Sequence, residues 1–171
     1  MALEAAGSNP VIHPNFRSWF PPGRAPRAFA TVKAMDQLEG ARVLLVDDSP
    51  CVRKDLGKQL DGAGAEVTAV GSAAEALAAL REGAFDVMVC DLWLPGTDGH
   101  SLMRAVRGQG GTNAGIRAVA ITARADEESR SRARESGFDD YLPKLVSALL
   151  VPTVARLRDP RRAPRARTTV R

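Results

Sequence analysis

Cysteine and histidine are scarce, with two of each in 171 residues. Cys51 and Cys90 lie far apart and form no C-x-x-C pair, so neither a disulfide framework nor a zinc finger is indicated, and His13 with His100 cannot supply a histidine-rich metal site. No apolar run approaches the roughly 20 residues a membrane-spanning helix needs, and Met1 to Pro10 has no basic segment followed by an apolar core. A cytoplasmic protein without a membrane span is therefore expected. Glycine-rich phosphate loops are missing as well. Gly62-Ala-Gly64 and Gly108-Gln-Gly-Gly111 follow amphipathic stretches rather than apolar runs and read as turns, so ATP-dependent kinase activity is not expected.

The net charge of +4 is not spread along the chain. Residues 1–40 carry 4 Lys/Arg and 3 Asp/Glu, and residues 159–171 carry 5 and 1, which leaves 15 and 16 of the totals of 24 and 20 for residues 41–158. The first 40 residues hold five of the 11 prolines (Pro10, Pro14, Pro21, Pro22, Pro26) and show neither a helical nor a strand period, so a disordered leader or linker is expected there. Residues 159–171 combine two prolines with five arginines and are expected to form a disordered tail. Lacking interleaved aromatics, that tail specifies neither nucleic acid nor lipid.

Between these segments the pattern changes. Short apolar runs, Val43 to Val46, Val67 to Val70, Val87 to Cys90, Ala118 to Ile121, then Tyr141 and Leu142, alternate with amphipathic stretches and read as five buried parallel strands. Ser49-Pro50 marks a helix start, followed by Val52, Leu56 and Leu60 at i+4; Ser72 and Glu75 form a capping box ahead of Leu77 and Leu80. Leu102, Met103 and Val106 give a third helix, Asp126 opens a polar fourth one, and Gly137 is its expected C-cap. This alternation within residues 41–158 implies right-handed crossovers and a doubly wound α/β fold, a three-layer α/β/α sandwich.

In such sheets ligands sit beyond the carboxyl ends of the strands. There stand Asp47 and Asp48 after the first run, Asp91 after the third, Thr122 after the fourth and Lys144 after the fifth. Three carboxylates at close range repel one another unless a hard divalent cation binds, and Mg²⁺, which takes oxygen ligands and keeps several waters, is the expected one. A lysine ammonium and a threonine hydroxyl opposite it would complete a site suited to phosphoryl transfer.

The quoted residues resemble the receiver domains of two-component response regulators. The resemblance rests on Val46-Asp47-Asp48, on the run from Asp86 through Asp91-Leu-Trp-Leu-Pro-Gly-Thr-Asp-Gly99, on Ala120-Ile121-Thr122-Ala123 and on Gly137-Phe-Asp-Asp-Tyr141-Leu-Pro-Lys144. It implies a flavodoxin-like five-stranded parallel sheet of order 2-1-3-4-5, as in chemotaxis receivers. It also implies Asp91 as the acceptor of a phosphoryl group from a phosphohistidine, Mg²⁺ on Asp48, Asp91 and the Trp93 carbonyl with Asp47 direct or through water, and Lys144 opposite the metal. Thr122 and Tyr141 would form the switch, Tyr141 turning inward as Thr122 moves to the phosphate, toward the face made by the fourth helix, fifth strand and fifth helix. The implied partners are a sensor histidine kinase or a phosphotransfer protein and a downstream protein still unknown, with no turnover enzyme activity; because few residues follow the fifth helix, no DNA-binding domain is expected.

Three departures bear on this. Receivers usually have proline directly after the lysine, joined by a cis peptide, whereas here Pro143 precedes Lys144 and Leu145 follows; a cis bond there would cost about 3 kcal/mol, so a trans bond and a slower response are expected. Ser147 reads as the N-cap of the fifth helix, which puts Pro152 inside it and predicts either a kink or a restart at Pro152, and no dimerisation of the ordinary kind. Upstream, Phe16, Arg17, Trp19 and Phe20 cluster as a short docking motif, while Met35 to Arg42 resembles the lead-in to receivers at the end of hybrid sensor kinases and marks Met35 as a rival start to Met1. Trp93 and Arg124 stand where receivers tune hydrolysis of the acyl phosphate, and Cys90 reads as a buried strand thiol. The rival function is a pseudoreceiver, the same fold binding proteins independently of phosphorylation; a phosphatase or flavin protein is remote, for no D-x-D pair stands at Asp91.

Overall fold

The computed structural model describes residues 37–123 and 126–159. Apolar residues in unbroken runs cannot face water on either side, and they form the strands β1 (Arg42–Val46), β2 (Glu66–Val70), β3 (Val87–Asp91), β4 (Arg117–Thr122) and β5 (Asp140–Pro143). All pairings are parallel and the order is β2-β1-β3-β4-β5, as the resemblance implies. Successive residues point to opposite faces: Leu44, Val46, Met88, Cys90, Ala118 and Ala120 lie in one core, Val43, Leu45, Val87, Val89, Val119 and Ile121 in the other. Among the described residues five α-helices cover the two faces: α1 (Pro50–Asp61), α2 (Ala73–Glu82), α3 (Gly99–Gly108), α4 (Glu127–Ser136) and α5 (Leu150–Arg158). Leu56 and Leu60 of α1 and Val154 and Leu157 of α5 close one core, and Leu80, Leu102, Met103 and Ala133 of α2, α3 and α4 close the other.

Caps set the helix starts beside the site. Ser72 accepts from the Glu75 N–H (3.2 Å), while Glu75 returns to the Ser72 hydroxyl (3.1 Å) and the Gly71 N–H (2.9 Å), the reciprocal box its spacing predicts. Ser49 occupies the N-cap of α1, but its side chain makes no capping bond. Asp98 and Asp126 cap α3 and α4 by accepting from Ser101 and Ser129, and Gly137 ends α4 at φ 106 in the left-handed region.

Several expectations change. β2 is an edge strand with every residue exposed or partly so, not the fully buried strand its apolar run suggests, because among the described residues no strand pairs on its outer side. Ser147 is not the N-cap of the fifth helix. Lys144–Leu149 forms a 3-10 segment broken at Val146 (φ −114, ψ 41), and α5 starts at Leu150. Pro152 therefore sits in the first turn of α5, where its missing N–H leaves no helical bond unmade; of the two expected outcomes the chain takes the restart, two residues ahead of Pro152 and after the break at Val146. Residues 37–40 of the expected leader form a turn in which fully buried Leu38 donates to the Ala63 carbonyl (2.9 Å), since an apolar side chain there completes the core below α1. The remainder of the leader, with its aromatic cluster, Arg124 and the arginine tail beyond Asp159 lie outside the described residues.

Candidate functional site

β1 and β3 are neighbours in mid-sheet and end together, so Asp47 and Asp48, in the loop after β1, and Asp91, the last residue of β3, come to one place. One oxygen from each of the three carboxylates lies within 4.8 Å of the others. Asp47 is fully buried and Asp91 nearly so, while Asp48 faces solvent. β5 ends beside β4, and Lys144, the residue after it, reaches back over the sheet edge to the carboxylates.

Lys144 Nζ donates to Asp91 Oδ2 at 2.6 Å and stands 2.7 Å from Asp47 Oδ2. The second contact is an ion pair off the hydrogen-bond angle, so Asp47 Oδ2 is buried with a charge beside it and no hydrogen-bond donor. Asp47 Oδ1 accepts from the Ser49 N–H (2.9 Å), and Asp91 Oδ1 from the Trp93 N–H (3.1 Å). Among the described residues no peptide bond is cis. Lys144 meets both carboxylates with trans geometry, so its position lends no support to the slower response expected from the Pro143-Lys144-Leu145 order.

Burial pushes the Asp91 carboxyl above its ordinary value, against the Lys144 and Trp93 hydrogen bonds, which pull it down. For Lys144 burial favours the neutral amine, yet the carboxylates of Asp47 and Asp91 beside it outweigh that and the ammonium is held above its usual range. Three carboxylates and one ammonium leave a formal charge of −2 (three negative, one positive). A divalent cation would cancel that charge, and the donor-less Asp47 Oδ2 gives it a ligand atom already out of water. The residues present therefore fit Mg²⁺.

Thr122, at the end of β4, is fully buried and stands beside Pro143 of β5. Tyr141 is also buried, in the core with Cys90, Met103 and Phe138, and the Arg130 guanidinium of α4 lies 5.8 Å from its ring centre. Trp93 is 59% exposed at the rim. Cys90 donates its thiol to the Asp91 carbonyl (3.1 Å); burial raises its pKa far above the ordinary thiol value, so it is an inert strand residue.

Two positioning features have no signature in periodicity. A Cβ on Gly99 would meet the Asp91 carbonyl oxygen at 2.3 Å and Leu92 Cα at 2.9 Å, so glycine is what lets α3 start against the end of β3. Arg53, one turn into α1, donates to the carbonyls of Asp47 (2.6 Å) and Asp48 (2.9 Å). The i+6 spacing of Arg53 from Asp47 is visible in sequence, but its target, the backbone, is not.

A 14.6 kDa protein from the sodA1 3′ region of Leptolyngbya boryana, itself uncharacterized, is 40% identical over 117 residues, 67% of this chain and 87% of that protein. The sensor protein GacS of Pseudomonas syringae pv. syringae is 36% identical over 108 residues, 62% of this chain but only 12% of GacS. The chemotaxis response regulator CheY4 of Vibrio cholerae superposes with a TM-score of 0.65 at 29% identity, over 69% of this chain and 98% of that one. The family model of the response regulator receiver domain matches residues 43–151, a span that holds all three carboxylates and Lys144. By that match the chain belongs to the response regulator receiver domains, phosphoacceptor signalling modules of two-component phosphorelays that partner with sensor histidine kinases and are not turnover enzymes.

Proposed function

We propose that residues 41–158 act as a cytoplasmic receiver in which Asp91 takes a phosphoryl group from the phosphohistidine of a sensor histidine kinase or phosphotransfer protein. The observation that carries this reading is the buried Asp91 carboxylate, hydrogen-bonded to Lys144 at 2.6 Å beside Asp47 and Asp48. An Asp91 carboxylate oxygen forms a bond to phosphorus as the P–N bond breaks, its electron pair leaving on the imidazole nitrogen, and the product is an aspartyl phosphate. Asp48, Asp91 and the Trp93 carbonyl would hold Mg²⁺, with Asp47 direct or through water. When bound, the cation draws charge from the phosphoryl oxygens.

Lys144 is already hydrogen-bonded to the acceptor and passes to a phosphoryl oxygen as the carboxylate charge is consumed, which makes it a stabiliser of the transition state rather than of the resting site alone. Thr122 supplies a hydroxyl to the new phosphate. The response on the α4–β5–α5 face follows the move of Thr122 to the phosphate and the inward turn of Tyr141, over whose ring Arg130 of α4 packs. A downstream protein binds that face. The reach of Lys144 to Asp91 weighs against a pseudoreceiver, whose pocket has no use for the ammonium.

The test uses Mg²⁺ and phosphoramidate, a small donor with a P–N bond, followed by borohydride reduction and peptide mapping. Reduction product at position 91 is the expected result. Phosphate found on serine, threonine or histidine instead would overturn the assignment.

A further inference from the structure

The acidic site depends on a loop of three residues between the end of β1 and the start of α1, and such a loop has no ladder to hold it. Asp47 retains one sheet bond, its N–H donating to the Val70 carbonyl (3.2 Å), but the carbonyls of Asp47 and Asp48 lie beyond the strand. Both are taken by a single nitrogen, Arg53 Nη1, at 2.6 and 2.9 Å. One donor shared by two successive carbonyls turns both peptide groups to the same side, and that sets the directions in which the Asp47 and Asp48 side chains leave the backbone.

The guanidinium is itself held. A Cβ on Gly71, in the loop after β2, would meet Arg53 Nη1 at 3.1 Å, Cζ at 3.5 Å and Nη2 at 3.7 Å, so the fork lies flat against a backbone that has no side chain in the way. Glu75, on the first turn of α2, feels the charge of Arg53 but is engaged by Gly71 and Ser72. A cation this close to three carboxylates would ordinarily occupy them and compete with a metal. Here its bonds go to carbonyls and not to the carboxylate oxygens, and Asp47 Oδ2 keeps the Lys144 ammonium beside it without a hydrogen-bond donor.

We propose that Arg53 is the positioning residue of the cation site, clamping the Asp47 and Asp48 carbonyls so that both carboxylates converge with Asp91 before any cation arrives. This rests on the reading that the three carboxylates hold Mg²⁺. It makes Arg53 an outer-shell residue whose loss weakens metal binding without removing a ligand.

The experiment is calorimetric titration of the full chain with Mg²⁺, for the wild type, Arg53→Ala, Arg53→Lys, Gly71→Ala and Asp48→Asn, with urea unfolding of each in the absence of Mg²⁺. Arg53→Ala should weaken Mg²⁺ binding by about tenfold or more, the range found for outer-shell partners of metal ligands. Arg53→Lys should recover most of the loss, because an ammonium can also donate to both carbonyls. Gly71→Ala keeps the arginine but crowds its guanidinium, and should weaken binding with the fold intact, which covers the case of an unstable Arg53→Ala. Undiminished Mg²⁺ affinity in both Arg53→Ala and Gly71→Ala overturns the proposal, and so does a loss that Arg53→Lys leaves uncorrected. Asp48→Asn separates the two levels: if it binds Mg²⁺ as the wild type does, the cation site itself has been misassigned; if it loses Mg²⁺ while Arg53→Ala keeps it, only the role of Arg53 falls.

Discussion

Gly99→Ala tests how tightly the acceptor strand is seated against α3. The added Cβ would stand 2.3 Å from the Asp91 carbonyl oxygen, where ordinary contact begins at 3.4 Å, so the helix start and the strand end must part by 1.1 Å (3.4 − 2.3). The obstacle is backbone, which no rotamer change can relieve. Overpacking of this kind costs about 2–3 kcal/mol. With a urea dependence of about 2 kcal/mol per molar, the midpoint should fall by about 1–1.5 M. A displacement of that size also moves the Asp91 carboxylate from Lys144, and misplacement by about 1 Å slows a positioned reaction on the order of 100-fold, to be read as the rate of phosphorylation by acetyl phosphate. The control is Gly57→Ala in the middle of α1, where a Cβ meets nothing within 4 Å. There the better helix former should raise stability by about 1 kcal/mol and leave phosphorylation unchanged. Gly99→Ala protein that unfolds at the wild-type urea concentration and is phosphorylated at the wild-type rate would refute the close approach.

Lys144→Met removes the one positive charge between Asp47 and Asp91, and breaking such a buried pair should cost about 3 kcal/mol without metal, while added Mg²⁺ stabilises the variant more than the wild type; equal stability and equal response to Mg²⁺ would contradict the bridge. Tyr141 is the only tyrosine, so tyrosinate absorbance reports it alone, and burial pushes its pKa up to about 12. Since the folded value lies above the ordinary 10.0, the unfolded chain ionises first, and the stability that depends on Tyr141 is complete below pH 10.0 and lost as pH rises through about 12. A midpoint near 10 in folded protein would place the ring outside the core. Trp93→Ala should leave the urea midpoint in place, because the side chain is 59% exposed, but shorten the lifetime of the aspartyl phosphate by admitting water; an unchanged lifetime would remove Trp93 as a shield.

The strands were legible because burial on both faces demands unbroken apolar runs, and Val43 to Val46 or Val87 to Cys90 have no other reading in a chain punctuated by caps. The charged cluster was legible for the same reason one step on: a polar residue at or just past the end of a buried strand must stand at the sheet edge, which brings Asp47, Asp91 and Lys144 together once the strands are parallel and puts Thr122 at the same edge. Where the reading stopped, the cause was contact across the fold. Val67 to Val70 looks like a buried strand, but at the sheet edge, with no strand beyond it among the described residues, β2 stays exposed or half-exposed throughout. Pro152 looks like a helix breaker until Lys144–Leu149 takes up a 3-10 path and moves the helix start past Ser147. Neither the targets of Arg53 nor the steric reason for Gly99 is written in spacing, because both involve backbone atoms of residues that carry their own conspicuous side chains.

The central claim is that Asp91 is a phosphoacceptor assisted by a divalent cation. Intact mass after incubation with acetyl phosphate tests it most directly, with and without Mg²⁺, on the wild type and Asp91→Asn. A single phosphoryl adduct that requires both Mg²⁺ and Asp91 is the predicted result; no adduct on the wild type, or the same adduct on Asp91→Asn, would contradict it.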